Sequence, residues 1–313
     1  MERRILLANP RGFCAGVERA IRIIEELLEV HPDTTLYVRK EIVHNRDVVE
    51  KLRARGVVFV EELDEVPEGA LVVFSAHGVA KAVQKHAKER KLRVLDATCP
   101  LVSKVHVEAM RFNREGYFLL FIGHDGHDEV AGTLGQVNGG IALVESIADA
   151  EAVSPPDPER VALITQTTLS LDDTLAIVEV LKRRFPAMRE PLRSDICYAT
   201  QNRQNAVHAL AEQVDVVIVV GSSNSSNSVR LMDCSLDKNT PAYLLDDPDA
   251  LDPAWFEGAN TIGVTAGAST PEQLVLRVVE RIGELTGVNT VEEFGEPEPP
   301  IVFRLPRELD RVG

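Results

Sequence analysis

Three of the four cysteines stand at the same kind of junction. Asn9-Pro10-Arg11-Gly12-Phe13-Cys14-Ala15-Gly16, Asp96-Ala97-Thr98-Cys99-Pro100 and Ser194-Asp195-Ile196-Cys197-Tyr198 each join an extended apolar run to a helical pattern. A helix N-terminus carries partial positive charge and unpaired N–H donors, so it favours a thiolate over a thiol. Three thiolates at equivalent points suggest one shared metal centre, against the plainer reading of three independent core residues. Structural zinc prefers four ligands, commonly in C-x₂-C pairs, and those pairs are absent. An iron–sulfur cluster accepts thiolates from distant positions, and a cubane cluster held by three would keep one iron open. Cys234 lies outside the pattern, inside a helical stretch, and reads as a buried or surface thiol rather than a ligand.

The loops between strands supply the remaining chemistry. His44, His77, His124, His127 and Glu129 come from the first two thirds of the chain, and Thr167, Thr168, Ser225, Ser226, Asn227 and Ser269 from the rest. Singly, a loop histidine is usually solvated and a Ser-Asn run is usually a turn. Their recurrence after equivalent strands points instead to neutral donors gathered for a phosphate group. Glu129, two residues beyond His127, is the best-placed carboxylate for proton delivery, and such an acid can have its pKa raised by its surroundings.

The elements that must position these residues recur in three passes. Helical spacing at Val17, Ala20, Ile21, Ile24, Leu27 and Leu28 follows the first cysteine, and strands at 35–38, 57–60, 71–74 and 92–95 lead to the second. A helix over 101–114, strands at 118–122, 141–144 and 161–164 and a helix capped by Ser170, with Leu171, Leu175, Val178, Leu181 and Phe185 on one face, lead to the third. A helix over 199–212 and strands at 216–220, 242–245 and 261–264 follow, and then a helix with Thr270 as N-cap, Pro271 at its first position and Gln273 as capping-box partner. Residues 123–129 read as a loop. Strands alternating with helices imply an α/β fold of three small domains with mostly parallel sheets, whose ligands lie beyond the strand C-termini. The boundaries fall at 14–97, 98–195 and 196–290 with 1–13, and 291–313 reads as a C-terminal linker and tail.

Composition narrows the function classes. The chain of 313 residues carries a net charge of −15, which argues against nucleic acid or an anionic membrane as partner. The start of the chain lacks the apolar core of a secretory signal and no run approaches a membrane span, so a cytoplasmic protein is expected. No P-loop and no G-x-G-x-x-G after the first strand supports a nucleotide site.

Nine stretches together resemble the 4-hydroxy-3-methylbut-2-enyl diphosphate reductases, the last enzymes of the methylerythritol phosphate route to isoprenoids. They are ANPRGFCAGV, VHN, SAHGV, DATCPLV, GHDGHDEVAGT, TQTTLS, DICYATQNRQ, SSNSSNS and VTAGAS, in that order over almost the whole chain. The resemblance implies a monomer whose three pseudo-symmetric α/β domains form a cloverleaf around one 4Fe-4S cluster, with Cys14, Cys99 and Cys197 as its ligands. It implies that His44, His77, His127, Ser225, Ser226, Asn227 and Ser269 hold the diphosphate. Thr167, with Thr168 beside it, would meet the substrate hydroxyl region, and Glu129 with His127 would supply or relay protons. The implied reaction is reductive dehydroxylation to isopentenyl and dimethylallyl diphosphates, with two electrons and two protons, the open iron binding the hydroxyl oxygen. The sequence departs from the family at Val229, where similar enzymes tend to carry a polar residue.

The resemblance also implies a ferredoxin or flavodoxin as electron donor. Such donors are acidic, and Lys81, Lys85, Lys88, Arg90, Lys91 and Arg93 offer a basic patch, unless they are simply a solvated helix face. Two other functional classes compete. A zinc-dependent hydrolase built on His127 and Glu129 would need no reductant, and a non-catalytic cluster sensor would bind ligand without turnover.

Overall fold

The structure is a computed structural model that describes residues 3–307 and Leu309. Met1, Glu2, Glu308 and residues 310–313, which belong to the expected third domain and tail, lie outside the described residues. The chain divides into two compact units, one of residues 3–18, 43–54 and 198–302, the other of 19–42, 55–197 and the described residues from 303 onward.

The first unit is built on a five-stranded parallel sheet of β1 (Arg4–Ala8), β9 (Val216–Val220), β10 (Ala242–Leu245), β11 (Thr261–Ala266) and β12 (Thr290–Phe294), in the order β10-β9-β11-β1-β12. Every residue of β9 is buried, as a parallel strand covered on both faces requires. One face packs against α10 (Glu272–Thr286), with Leu274, Val275, Val278 and Ile282 meeting Ile218, Ile262 and Val264. The other packs against α8 (Tyr198–Ala211) and α9 (Ser226–Leu236), through Val207, Leu210 and Leu231. Cys234 is buried in that second layer beside the strands, the first of the two placements expected for it.

The second unit holds two parallel sheets. One comprises β2 (Leu36–Arg39), β3 (Val58–Val60), β4 (Leu71–Phe74) and β5 (Arg93–Asp96), in the order β3-β2-β4-β5. The other comprises β6 (Phe118–Ile122), β7 (Ile141–Val144) and β8 (Val161–Thr165), in the order β7-β6-β8. The three-stranded sheet is covered by α4 (Pro100–Arg114), whose Val105, Ala109 and Phe112 meet Leu119, Phe121 and Ile164, and by α7 (Leu171–Arg184) on its other face. α1 (Ala15–Val30) starts in the first unit and belongs to the second from Arg19. The mixed α/β class with three parallel sheets is as the sequence pattern predicts.

Several local expectations are corrected. Residues 128 and 129, read as the end of a loop, instead open the two-turn helix α5 (Asp128–Leu134). Its backbone lies tightly on the segment after His77, since a Cβ at Gly132 would stand 3.1 Å from the Gly78 carbonyl and one at Gly135 2.2 Å from the Ala80 Cβ. The expected cap at Thr270 is not formed. Its hydroxyl donates to the Val220 carbonyl at 2.9 Å, and Pro271 occupies the N-cap of α10 with no side-chain bond. Leu175 is 60% exposed, because Thr174, Ile177, Val178 and Leu181 form the buried face of α7. β12 and a short helix over Ile147–Ala152 are elements that the sequence pattern does not announce.

Candidate active site

All three sheets are parallel, so each has one edge of strand C-termini, and every site residue follows such an end or opens the next helix. Cys99 is the N-cap of α4, while Cys14 and Cys197 immediately precede α1 and α8. Each cysteine N–H is pegged to a carbonyl in a polar loop of its own unit: Cys14 to Ala268 at 3.0 Å, Cys99 to Ala76 at 2.9 Å and Cys197 to Thr167 at 3.0 Å. Ala268 adjoins Ser269, and Ala76 adjoins His77. These bonds fix the main chain of each cysteine against the loop that carries Ser269, His77 or Thr167.

In the second unit, Glu129 is 2% exposed and both its oxygens are taken by Thr167. The Thr167 N–H donates to Oε1 at 2.7 Å and its hydroxyl to Oε2 at 2.8 Å. Burial outweighs those two bonds and pushes the carboxyl up to about 7, with the nearby Asp195 adding to the rise. A group poised there gives and takes a proton near neutrality, as a general acid must. Thr167 spends its proton on Glu129 and keeps lone pairs to accept one.

His127 caps α5, its Nδ1 accepting the Glu129 N–H at 3.1 Å. A neutral ring so bonded carries its hydrogen on Nε2, a donor suited to an anionic oxygen. The close seat of α5 brings the His127 ring edge-to-face with His77, centroids 5.8 Å apart, and Ser75 Oγ lies 3.3 Å from His77 Nδ1. Thr168 Oγ1 accepts from Gln166 Nε2 at 3.1 Å.

Asp195, which the sequence reading left without a role, is buried and bonded to the Thr165 N–H at 3.1 Å and to Lys104 Nζ at 2.9 Å. Its carboxyl is raised to about 6 by burial, with Lys104 pulling it down. The available signal was its place two residues before Cys197, close to that of Asp96 before Cys99.

In the first unit, Ser225 caps α9 by accepting the Ser228 N–H at 3.4 Å, and Ser226 opens the helix. Ser269 Oγ donates to the His44 carbonyl at 2.8 Å and so joins two of the expected anion ligands. Asn227 is 4% exposed, yet neither Oδ1 nor Nδ2 has a partner among the described residues. An unpaired buried amide is costly, and at a helix N-terminus it marks a place built for a polar ligand. Val229 is half-buried and its N–H bonds the Ser225 carbonyl at 3.0 Å, so the departure there leaves the cap intact.

The donor set fits a thiolate-held cluster. Cys14, Cys99 and Cys197 are half-exposed at helix starts and none is in a disulfide, whereas Cys234 is buried.

The family model described as LytB protein matches residues 5–283. The chain is 56% identical over 309 residues to the 4-hydroxy-3-methylbut-2-enyl diphosphate reductase of Actinobacillus succinogenes, covering 98% of both chains. It is 56% identical over 307 residues to the enzyme of that name from Bordetella pertussis, covering 98% of this chain and 94% of that protein. Among solved structures it is similar to the E-1-hydroxy-2-methyl-but-2-enyl-4-diphosphate reductase from Plasmodium falciparum. There the TM-score is 0.96 at 38% identity, with 100% of this chain and 98% of that one covered.

Proposed function

The chain belongs to the LytB protein family, and from that membership we propose that it catalyses reductive dehydroxylation of (E)-4-hydroxy-3-methylbut-2-enyl diphosphate to isopentenyl and dimethylallyl diphosphates. The allylic C–O bond breaks, two electrons and two protons are taken up, and oxygen leaves as water. Cys14, Cys99 and Cys197 would hold a 4Fe-4S cluster. That group, when bound, supplies the electrons and a Lewis-acidic iron that side chains lack.

The chain's own residues bind and protonate. Hydroxide is a poor leaving group, so a proton must reach the substrate oxygen as the bond breaks. Glu129, raised to about 7, can carry that proton near neutral pH; once protonated, its Oε2 donates to the Thr167 hydroxyl, which turns its own proton toward the substrate oxygen. His127 Nε2–H, His77, Ser225, Ser226, Asn227, Ser269 and His44 are assigned to the substrate's charged end, and Thr168 to the hydroxyl end beside Thr167. Local donors of this kind outweigh a net charge of −15, which solvent screens over distance. One observation carries the reading: the carboxyl able to hold a proton at pH 7 is fixed to the threonine whose carbonyl pegs a cysteine.

We take 14–97, 98–195 and 196–290 with 1–13 as three domains, on the ground that each span holds the strands of one parallel sheet, except that β12, in the segment read as linker and tail, completes the third. A monomer in the cytoplasm, reduced by a ferredoxin or flavodoxin, completes the proposal. No helix among the described residues is long and apolar enough to cross a membrane.

The test is a Mössbauer spectrum of iron-enriched protein prepared without oxygen, before and after the diphosphate substrate is added. One iron site distinct from the others, shifting with substrate, is the expected result. Zinc without sulfide, or hydrolysis without a reductant, would overturn the proposal.

A further inference from the structure

Each of the three helices opened by a cysteine carries a cation in its second turn: Arg19 in α1, Lys104 in α4 and Arg203 in α8. None of the three donates to the loop of its own cysteine. Arg19 NH1 donates to the carbonyls of Ala97 at 3.2 Å and Thr98 at 3.1 Å, the two residues before Cys99. Lys104 Nζ donates to the carbonyls of Arg193 at 2.9 Å and Ser194 at 3.2 Å and to Asp195 Oδ1 at 2.9 Å, all just before Cys197. Arg203 NH2 donates to the carbonyls of Gly12 at 2.8 Å and Phe13 at 3.4 Å, the two residues before Cys14. Each clamp lies within one unit, and in chain order the relation is cyclic.

We propose that Arg19, Lys104 and Arg203 are positioning residues, each holding the backbone that presents the next cysteine in the cycle. The inference rests on the reading of Cys14, Cys99 and Cys197 as ligands of one cluster. A guanidinium or ammonium bonded to carbonyls makes charge-assisted bonds, stronger than neutral ones, and Arg can hold two carbonyls in fixed relation. The burial of Arg203, 1% exposed, leaves it no water to exchange for those bonds. It is further held by the Ala199 carbonyl at 2.9 Å and the Glu298 carboxylate at 3.3 Å. Arg19 is tied by its Nε to the Arg304 carbonyl at 2.9 Å. These tethers let a long side chain act as a rigid strut.

The relation makes a crosswise prediction that a general role in stability does not. Removing a cation should loosen the loop of the next cysteine and spare the cysteine that opens its own helix. The full chain, reduced and free of iron, is treated with iodoacetamide at alkaline pH, where every accessible thiol is thiolate and the rate reports loop opening. Alkylation of each cysteine is followed by mass spectrometry. Arg19→Met should speed Cys99, Lys104→Met should speed Cys197 and Arg203→Met should speed Cys14. The expected rise is about threefold or more, with the other two cysteines within about twofold.

Arg19→Lys and Lys104→Arg, which keep the charge, should restore most of the protection. If Arg203→Met does not fold, Arg203→Lys retains the charge with fewer donors and should show a smaller rise at Cys14 alone. Arg184→Met is the control, since Arg184 also clamps two carbonyls, those of Ala150 and Val153, away from any cysteine. It should change none of the three rates.

Equal acceleration at all three cysteines, acceleration at the helix's own cysteine, or no change would overturn the proposal. Reconstitution with iron and sulfide then separates it from the cluster reading. The crosswise variants should take up less iron than the unaltered protein, and Arg184→Met the same amount. An unaltered protein that binds no iron, alongside a crosswise alkylation pattern, would sink the cluster and leave the clamps standing.

Discussion

Glu129 carries a linkage between proton and fold. Its carboxyl is raised from 4.5 to about 7 by burial, so the folded chain binds that proton more tightly than the unfolded chain does. The resulting stabilisation is complete below about pH 4.5 and is lost as pH rises through about 7, a change on the order of 3 kcal/mol. Glu129→Gln has no proton to lose. The difference in unfolding free energy between it and the unaltered protein should therefore vary with pH over that window, while Asp195 and His106 contribute to both. The same variant should lose on the order of a hundredfold or more in kcat with little change in iron content. Asn227 poses the opposite trade. Its amide is buried without partners among the described residues, so Asn227→Ala should leave unfolding free energy of the ligand-free protein unchanged or slightly higher. KM for the diphosphate should nevertheless rise about tenfold or more, as loss of a bond to a charged ligand predicts. A marked loss of stability with unchanged KM would remove Asn227 from the site.

At the scale of elements, α5 shows how a short helix can be held by what is missing. A methyl group at Gly135 would overlap Ala80, so Gly135→Ala should push α5 outward and cost about 1–3 kcal/mol in denaturant unfolding. It should also raise KM, because the His77–His127 spacing depends on that seat. The helix was illegible in the sequence because seven residues with an internal glycine are too few to display a period. The cysteine-opened helices were legible because long apolar stripes follow each of them. Even there the stripe was slightly misread, since Ile23 is fully buried while Val17, Ile21 and Leu28 are only half-buried. β12 was hidden because it is an edge strand with two exposed glutamates, a composition that protects an edge and resembles a linker. Thr270 misled for another reason. Its local pattern fits a capping box, but the Val220 carbonyl from a neighbouring strand takes the hydroxyl first. The polar loop residues proposed to bind the diphosphate could be picked out from residue types and recurrence. The pegs, clamps and proton-holding pair could not, because each depends on contacts between residues far apart in the chain.

At the scale of the whole chain, acidity governs how partners are met. At least three of the six cations in the expected basic patch are already paired, Lys85 with Glu89, Arg90 with Asp64 and Lys91 with Glu68. Exposed pairs contribute little stability, but they lower the net positive field that an acidic donor would feel. Reversing Lys85 and Lys88 to glutamate should therefore slow turnover less than about twofold with either a protein donor or a small chemical reductant. A selective loss with the protein donor would restore that surface as its docking site.

The placement of β1 between β11 and β12 also has a consequence in time. During synthesis at about 5–20 residues per second, the first strand leaves the ribosome roughly ten to fifty seconds before either of its sheet neighbours exists. Until then the Gly12 and Cys14 N–H groups lack the Ala266 and Ala268 carbonyls that fix their loop. The earliest cysteine to be translated is thus the last to be set, and on the proposed assignment of Cys14 as a cluster ligand a nascent chain stalled before β11 would offer iron an incomplete grip. Metal loading would then be a checkpoint that only a chain extended past β11 can pass.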